Sequence, residues 1–549
     1  MKKLLSLGII AIMITTFWAC SEDPAADNRV TITGIPATAS IDNLGTLAPV
    51  AVTIEALDGL TTLSITKGTE VFDSKAYAGE TSASYEFTYT ANAADEDKNL
   101  VFTFIATDKD GDTETVTHVL TVGAAPEPIP NAVRTGIISA NETWTNDRIW
   151  EIAGRVIVKD QVTLTIQEGT IIKGREGSGS LASALIIARG AKLMAKGTAE
   201  KPIVFTSILD NIQVGEKAGT NLSETNTGLW GGLIVLGKAT VSVAGGETQI
   251  EGIPADIVEG KYGGGTSPVD NDNSGELTYI SIRHGGTLIG ANNEINGLTL
   301  GGVGSGTKIE NIEVVGNEDD GIEFFGGTVN LTNGLVWAQK DDGYDIDQAY
   351  SGTISNIIYI AGAESDHGME IDGAEGTVSR GFTIQNGTFK GMTGEYADFR
   401  DKARGTVKDL YFFNYKKADD IELDADGSVD PADASKKLSD NPGVSDNFKG
   451  SGFGFTGALV LTGLEFNSTV TDDASLQTLS AIFGDKWSKD SFLAGDTRLA
   501  ADATAQAAAN KATFESNNSM VTSATKTKGA DKTKFTWTYA NAKGKLSDF

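Results

Sequence analysis

One cysteine, three histidines and eleven prolines in 549 residues remove several kinds of protein at once. A single cysteine cannot build a disulfide framework, and three histidines leave little capacity for transition metals. Positive charge is scarce too: 44 lysines and arginines face 74 acids, for a formal charge of -30. Such a chain repels phosphate backbones and anionic headgroups, so nucleic acid is excluded as a partner. The acid surplus favours divalent cations, neutral sugars or plain solubility. The apolar run from Leu4 to Trp18 is shorter than the ~20 residues a membrane-spanning helix needs. What the chain has in quantity is glycine, 65 residues of it, which points to a turn-rich β protein of more than one domain.

Met1-Lys2-Lys3, the apolar run and then Ala19-Cys20-Ser21-Glu22-Asp23 follow the layout of a secretory signal. Residues 1–19 read as a lipoprotein signal peptide, Cys20 as its lipid attachment site and 20–29 as a flexible tether. The segment resembles a bacterial lipobox, with Phe17 and Trp18 bulkier than the residues usual there. The alternative is an ordinary signal with an incidental cysteine. Ser21-Glu22-Asp23 resembles the acidic stretch that directs Bacteroidetes lipoproteins to the cell surface. That resemblance implies an outer-membrane protein that faces the exterior and touches the membrane only through its lipid.

Residues 30–123 alternate apolar and polar positions in short runs, such as Val50-Ala51-Val52-Thr53-Ile54 and Tyr85-Glu86-Phe87-Thr88-Tyr89. This predicts an immunoglobulin-like or cadherin-like β-sandwich. The aspartates of Asp108-Lys109-Asp110-Gly111-Asp112 serve either a hairpin turn or calcium, and turn chemistry already requires Asp and Gly. Pro126-Glu127-Pro128-Ile129-Pro130 makes 124–133 a stiff linker.

Beyond the linker, Gly-Thr recurs at 286, 306, 327, 352, 376 and 405, at intervals of 20, 21, 25, 24 and 29 residues. A position recurring at this spacing predicts a solenoid, and alternation with glycine-rich turns argues for strands over helices. The expectation is an all-β protein: a right-handed parallel β-helix over 134–480, preceded by the small sandwich. Residues 481–549 would form a cap, with an Ala-rich helix over Leu499–Phe514 and a final strand over Phe535–Tyr539. Three motifs, Leu164 to Gly174, Gly197 to Ser207 and Gly228 to Ile234, resemble those of a broad group of Bacteroidetes β-helix lipoproteins. Members often accompany outer-membrane transporters, so the resemblance implies a TonB-dependent transporter as partner.

A second column runs beside the repeat. Aligning Gly297-Leu298-Thr299, Gly321-Ile322-Glu323, Gly343-Tyr344-Asp345, Gly368-Met369-Glu370, Tyr396-Ala397-Asp398 and Asp420-Ile421-Glu422 puts Thr and then five acids at the third place. Two places on stand Asp347, Asp372 and the lone cation Arg400. Stacked coils would hold neighbouring carboxylates about 4.8 Å apart. Each like-charged pair then costs about 0.9 kcal/mol even in bulk water. Either this is a solvated face neutralised by Lys340, Arg380, Lys402 and Arg404, or it is a groove for calcium or sugar hydroxyls. Aromatics in the same coils, among them Phe324, Phe325, Trp337, Tyr344, Tyr359, Tyr396 and Phe399, would offer two or three exposed stacking platforms. Asp424, Asp426, Asp430 and Asp433 are spaced like a calcium loop or a plain acidic insertion.

The order Asp320, Asp341, Asp342, His367, Arg400, Lys402 approximates that of polygalacturonase-like hydrolases, where an acid and a base flank the sugar. Against this, the Asn-Thr-Asp signature is missing and Asp401 interrupts the Arg-Lys pair. A calcium-assisted lyase with Arg400 or Lys402 as base is a further option. The favoured expectation is a non-catalytic surface protein binding polysaccharide or oligosaccharide, with Ca2+ as its one candidate cofactor. A structural or adhesive role is the third. Inserts at Leu209–Thr227 and Ile253–Gly275 interrupt the repeat and could wall a groove.

Overall fold

The computed structural model describes residues 30–124, 129–288, 295–392, 394–400, 403–415, 421–423, 459–467, 478–482 and 511–549. The chain divides into two compact units, Met1–Pro128 and Ile129–Phe549. In the first, a three-stranded sheet (Val30–Thr33, Thr46–Ala56, Ser82–Thr90) accompanies a five-stranded one built around Asn99–Asp108 and Thr113–Val122. Alternation buries Val52, Ile54, Phe87, Phe102 and Phe104 in one core, and Phe87 meets Phe102 and Phe104 edge-on at 5.0 and 5.1 Å. Asp108 Oδ1 accepts from the amides of Asp110 and Asp112 at 3.0 and 2.8 Å, so this aspartate caps its own turn.

The second unit is a parallel β-helix. Each regular coil contributes to three faces; Lys308–Val315, for example, bends across the first two, and Ile322–Phe325 lies on the third. Inward positions stack coil on coil: Leu277, Ile309, Leu331, Ile354, Ile384, Val407 and Leu461 form one buried column. The bend between the first two faces needs positive φ, and Asn311, Asn333 and Asn356 occupy it at 58°, 60° and 54°. Asparagine tolerates that region better than branched residues do. Their amides also join the coils, Asn333 donating to Asn311 at 2.9 Å and Asn356 to Asn333 at 2.6 Å. The Gly-Thr pairs are a looser guide: Thr353 stands beside Thr383, leaving Gly376-Thr377 in the preceding turn.

On the third face, alternate residues point outward. Between Leu233–Leu236 and Gly275–Arg283 the chain leaves the coil and folds back over this outward surface. Val241, Ile250, Ile253 and Tyr262 bury Ile186, Ile234, Leu236 and Phe325 there. Tyr262 lies so close over Gly301 that a β-carbon there would come within 2.8 Å of the ring. Only glycine fits beneath it.

The C-terminal residues differ from expectation. Residues 511–517 are helical and Ser519–Val521 adds a strand beside Glu465–Asn467; Leu499–Asn510 lies outside the described residues. Phe535–Tyr539 is not a strand. A 3-10 turn, Lys532–Phe535, leads to the short helix Tyr539–Ala542, with Thr538 Oγ1 accepting from the Asn541 amide. The unpaired first-turn amides of Tyr539 and Ala540 take the carboxylate of Glu313, which is fully buried, at 3.0 and 2.8 Å. The alternating rings that mimic a strand are buried instead on the flank of the coils, Phe535 and Tyr539 beside Trp337, Ile358 and Ile360 and Trp537 against Tyr279. This segment therefore lies along the solenoid where a cap over its end was expected. It runs from Thr527 on Glu465, past Ala530 on Thr388 and Asp531 on Asn356, to Lys545 on Glu224. Among the described residues no helix is long and apolar enough to cross a membrane.

Candidate functional site

The third face carries the acids in strict register. Thr299, Glu323, Asp345, Glu370, Asp398 and Glu422 are successive Cα partners, and Ile137, Ile157, Ile186 and Ile234 precede them in the same column. Glu422 is placed by its backbone; its side chain lies outside the described residues, as do Cys20, Lys402, Asp424, Asp426, Asp430 and Asp433. The inward neighbours Ile322, Phe324, Tyr344, Ile346, Met369 and Ile371 hold the strands in the core, which forces the acids outward.

Outward does not mean solvated. Glu323 is 4% exposed, Asp345 8% and Asp398 4%. One ligand oxygen from each of Asp320, Glu323 and Asp345 lies within 4.8 Å of the other two. Burial, followed by the charges of Asp320, Asp347 and Glu251, raises the Glu323 carboxyl well above its ordinary range. Burial and then Asp347, Asp320 and Glu323 do the same to Asp345. The groups acting most strongly on both are all acidic, and Asp345 Oδ1 is buried without a hydrogen-bond partner among the described residues. Asn296 Nδ2 donates to Glu323 Oε2. Asp347, pushed up to about 6 by burial and Glu375, hydrogen-bonds Asp372.

The lower part of the column is compensated. Arg400 reaches Asp372 at 3.0 Å, Glu370, and Asp398 at 3.7 Å. The cations expected to neutralise this face lie elsewhere: Lys340 binds Glu318 and Glu364, Arg380 binds Asp270, and Arg404 donates to Ser379. Their nearness in sequence misleads because each sits in a turn beyond the strand.

A second line of polar groups precedes the column. Asn296 Oδ1 accepts from the Asp320 amide at 3.2 Å, Asp320 Oδ1 from Asp342 at 2.9 Å, and Asp342 Oδ1 from His367 at 2.8 Å. Asp320, Asp342 and His367, three of the six residues that a hydrolase would use, thus staple each coil to the next. The His367 ring also donates to Asp342 at 2.8 Å and lies 3.5 Å from Glu395. Burial alone would lower His367; bonds to Asp342 and Glu395 outweigh it and push the ring up to about 11, so it stays a cation. Asp341 is exposed at the rim, and burial of its surroundings plus Asp342 and Asp366 push it up to about 6. His284 is a turn residue: its φ is 62° and Nδ1 donates to the Asn226 carbonyl at 2.8 Å.

The aromatic platforms are absent. Phe324, Phe325, Trp337, Tyr344, Tyr359, Tyr396 and Phe399 are all buried. The second insert, which the sequence offered as a possible groove wall, does stand beside the column, though the residues that build the wall were not singled out. Tyr262, from the second insert, packs on Phe325 at 5.8 Å and donates to Gln348 at 2.9 Å, and Glu251 of the same excursion faces Glu323 and Asp347.

Stacked parallel strands on three faces, with polar rungs along one of them, define a β-helix whose third face is its functional candidate. The chain belongs to the family described as the pectate-lyase-like β-helix domain, whose model matches residues 136–442. No curated protein matches. Among solved structures, fibronectin(III)-like modules of Clostridium thermocellum CbhA match at 20% identity, covering 18% of this chain and all of theirs, TM-score 0.14. The catalytic domain of a GH87 alpha-1,3-glucanase, solved with tetrasaccharides, matches at 10% identity over 77% of this chain and 82% of its own, TM-score 0.20. Pectate lyase Pel3 from Pectobacterium carotovorum matches at 9% identity over 65% and 87%, TM-score 0.12.

Proposed function

We propose that the protein is a surface lipoprotein of the Bacteroidetes type, anchored through Cys20 at the outer membrane, that binds an extracellular glycan without cleaving it. A divalent cation held by Asp320, Glu323 and Asp345 would mediate the contact, and an outer-membrane importer would receive the ligand. The observation that carries this reading is the buried trio of carboxylates around an unpartnered Asp345 Oδ1. Such a site is relieved by protons or by a hard cation with oxygen ligands; calcium accepts six to eight of these and leaves positions for sugar hydroxyls. Glu323 and Asp345 offer the donor set, and Asn296 orients one of them.

Of the two cations that a lyase could use as base, Arg400 is shared among carboxylates and Lys402 lies outside the described residues; His367 is held as a cation between Asp342 and Glu395. A glycan-cleaving enzyme is the second reading, favoured by one observation: Asp341, accessible at the rim and pushed up to about 6, can hold or release a proton. Binding to a polysaccharide panel, with Ca2+ and with chelator, separates the two. The expected result is Ca2+-dependent retention that Asp345→Asn weakens at least tenfold, with no release of reducing ends or unsaturated products. Appearance of such products transfers the assignment to the enzyme reading, and retention indifferent to Ca2+ and to Asp345→Asn removes the cation from it.

A further inference from the structure

Around the corner from the acidic face, where the second face ends, a cavity of about 330 Å³ opens between three parts of the second unit. Trp337 and Ala338 of one coil, with Ile360 and Ala361 of the next, make its apolar floor. The first insert supplies Glu224 and Thr225 as one wall, and the C-terminal segment supplies Lys545. The volume falls at the lower end of the ~300–1,000 Å³ typical of small-molecule sites.

The rim is charged but balanced. Lys340 is paired with Glu318 at 2.8 Å and Glu364 at 3.3 Å, Lys545 with Glu224 at 3.1 Å, and Lys390 with Asp548 at 2.6 Å. A charged ligand would have to break one of these pairs, whereas a neutral one need not. Deeper in, Gln339 lines the cavity and is 1% exposed. Its Nε2 donates to the Asp341 carbonyl at 3.1 Å and to the Tyr359 hydroxyl at 3.4 Å, which fixes the amide with Oε1 left over. That oxygen is buried and has no donor among the described residues. An apolar floor, a self-neutralised rim and one buried acceptor awaiting a hydroxyl describe a receptor for a polyhydroxylated ring.

From these features we infer that this cavity is a binding site for a single neutral sugar unit. The less polar face of the ring rests on the floor by Ile360 and Ala361, one hydroxyl donates to Gln339 Oε1, and the remaining hydroxyls meet the rim. No cation takes part, so the site stands or falls independently of the third-face column.

Calorimetric titration of the full chain in chelator tests this, with glucose, galactose, mannose and N-acetylglucosamine as probes and glucuronate as the charged control. The expected result is saturable binding of at least one neutral sugar, equal in wild type and Asp345→Asn. Ala363→Trp, a substitution at an exposed lining position, should weaken it at least tenfold, and Gln339→Leu at least fivefold. Met392→Trp blocks the cavity from the other side, should Ala363→Trp disturb the fold. Absence of binding by every neutral probe, preference for glucuronate, or binding untouched by both tryptophan substitutions overturns the proposal. Loss of cation-dependent polysaccharide retention in Asp345→Asn, with sugar binding intact, marks the two sites as distinct.

Discussion

The third face is two surfaces on one sheet. Toward the start, its outward positions are Ile186 and Ile234, dry beneath Ile250, Ile253 and Tyr262; further along the same register they are Glu323, Asp345, Glu370 and Asp398. Parallel strand pairing does not change between them. What changes is the cover, and with it the chemistry the column can tolerate. Under an apolar excursion a side chain must be apolar, because a buried charge without a partner is among the costliest things a protein can hold. Beyond the excursion the acids are sheltered by one another and by Arg400, and stay close to water at the rim. One solenoid thus carries a sealed segment and an electrostatically loaded one within a few coils.

The sharpest way to break that comparison is to move the chemistry of one half into the other. Ile234→Asp places a carboxylate beneath the excursion and should cost roughly 3 to 5 kcal/mol in a urea titration, or abolish folding. Next in size, Arg400→Met removes the clamp over Glu370 and Asp372 and should cost about 2 kcal/mol at pH 8. The loss should shrink at pH 5, where the released carboxylates can take up protons; an equal loss at both values would mean that Arg400 acts through packing. The smallest effect has the opposite sign. Asp345→Asn should stabilise the cation-free protein by about 1 kcal/mol at pH 8 while abolishing any rise in melting temperature on adding Ca2+.

The pH dependence has a definite direction. Asp341 and Asp347 stand at about 6 in the fold against 3.8 in the unfolded chain, so between those values the native state holds protons that the unfolded state has released. Their contribution to stability is therefore fully present below about pH 4, falls as pH rises through about 6, and is flat beyond. Glu323 and Asp345, also raised by burial and neighbouring acids, act in the same direction. Added cation should consequently raise the melting temperature more at pH 8 than at pH 5.

Much of the column was legible because a β-strand has a period of two: inward Ile322 and Phe324 leave Glu323 no other direction, and a slip by one residue would bury the acid in the core. The same rule, followed through, would have removed the aromatic platforms, since Phe324 and Tyr344 share the inward phase. The stapling residues were visible, but their backbone role was not. Asn296-Gly297, Asp320-Gly321, Asp342-Gly343 and His367-Gly368 repeat a polar residue before glycine in four successive coils, a pattern that serves the backbone. The neutralising cations could not be chosen from the sequence, because Arg400 lies in the strand direction of the column whereas Lys340 and Arg380 turn away from it. The excursion over Ile234 and the C-terminal segment carry no periodic signal. The one hint of the latter was Glu313, an acid inside Ile312-Glu313-Val314-Val315 that only a distant donor could satisfy.

That segment changes how the solenoid shares its stability. Coils that touch only their neighbours can fray one at a time from an end, each at its own local free energy. Residues 527–545 touch Glu465, Thr388, Asn356, Glu313 and Glu224 in turn, coils that the chain visited in the reverse order. Losing the last coil then means pulling a peptide off the coils it crosses, so those coils open together or stay closed together. A stack of separable repeats becomes a single cooperative body, and the surfaces built on it keep their spacing for as long as any part of that body stands.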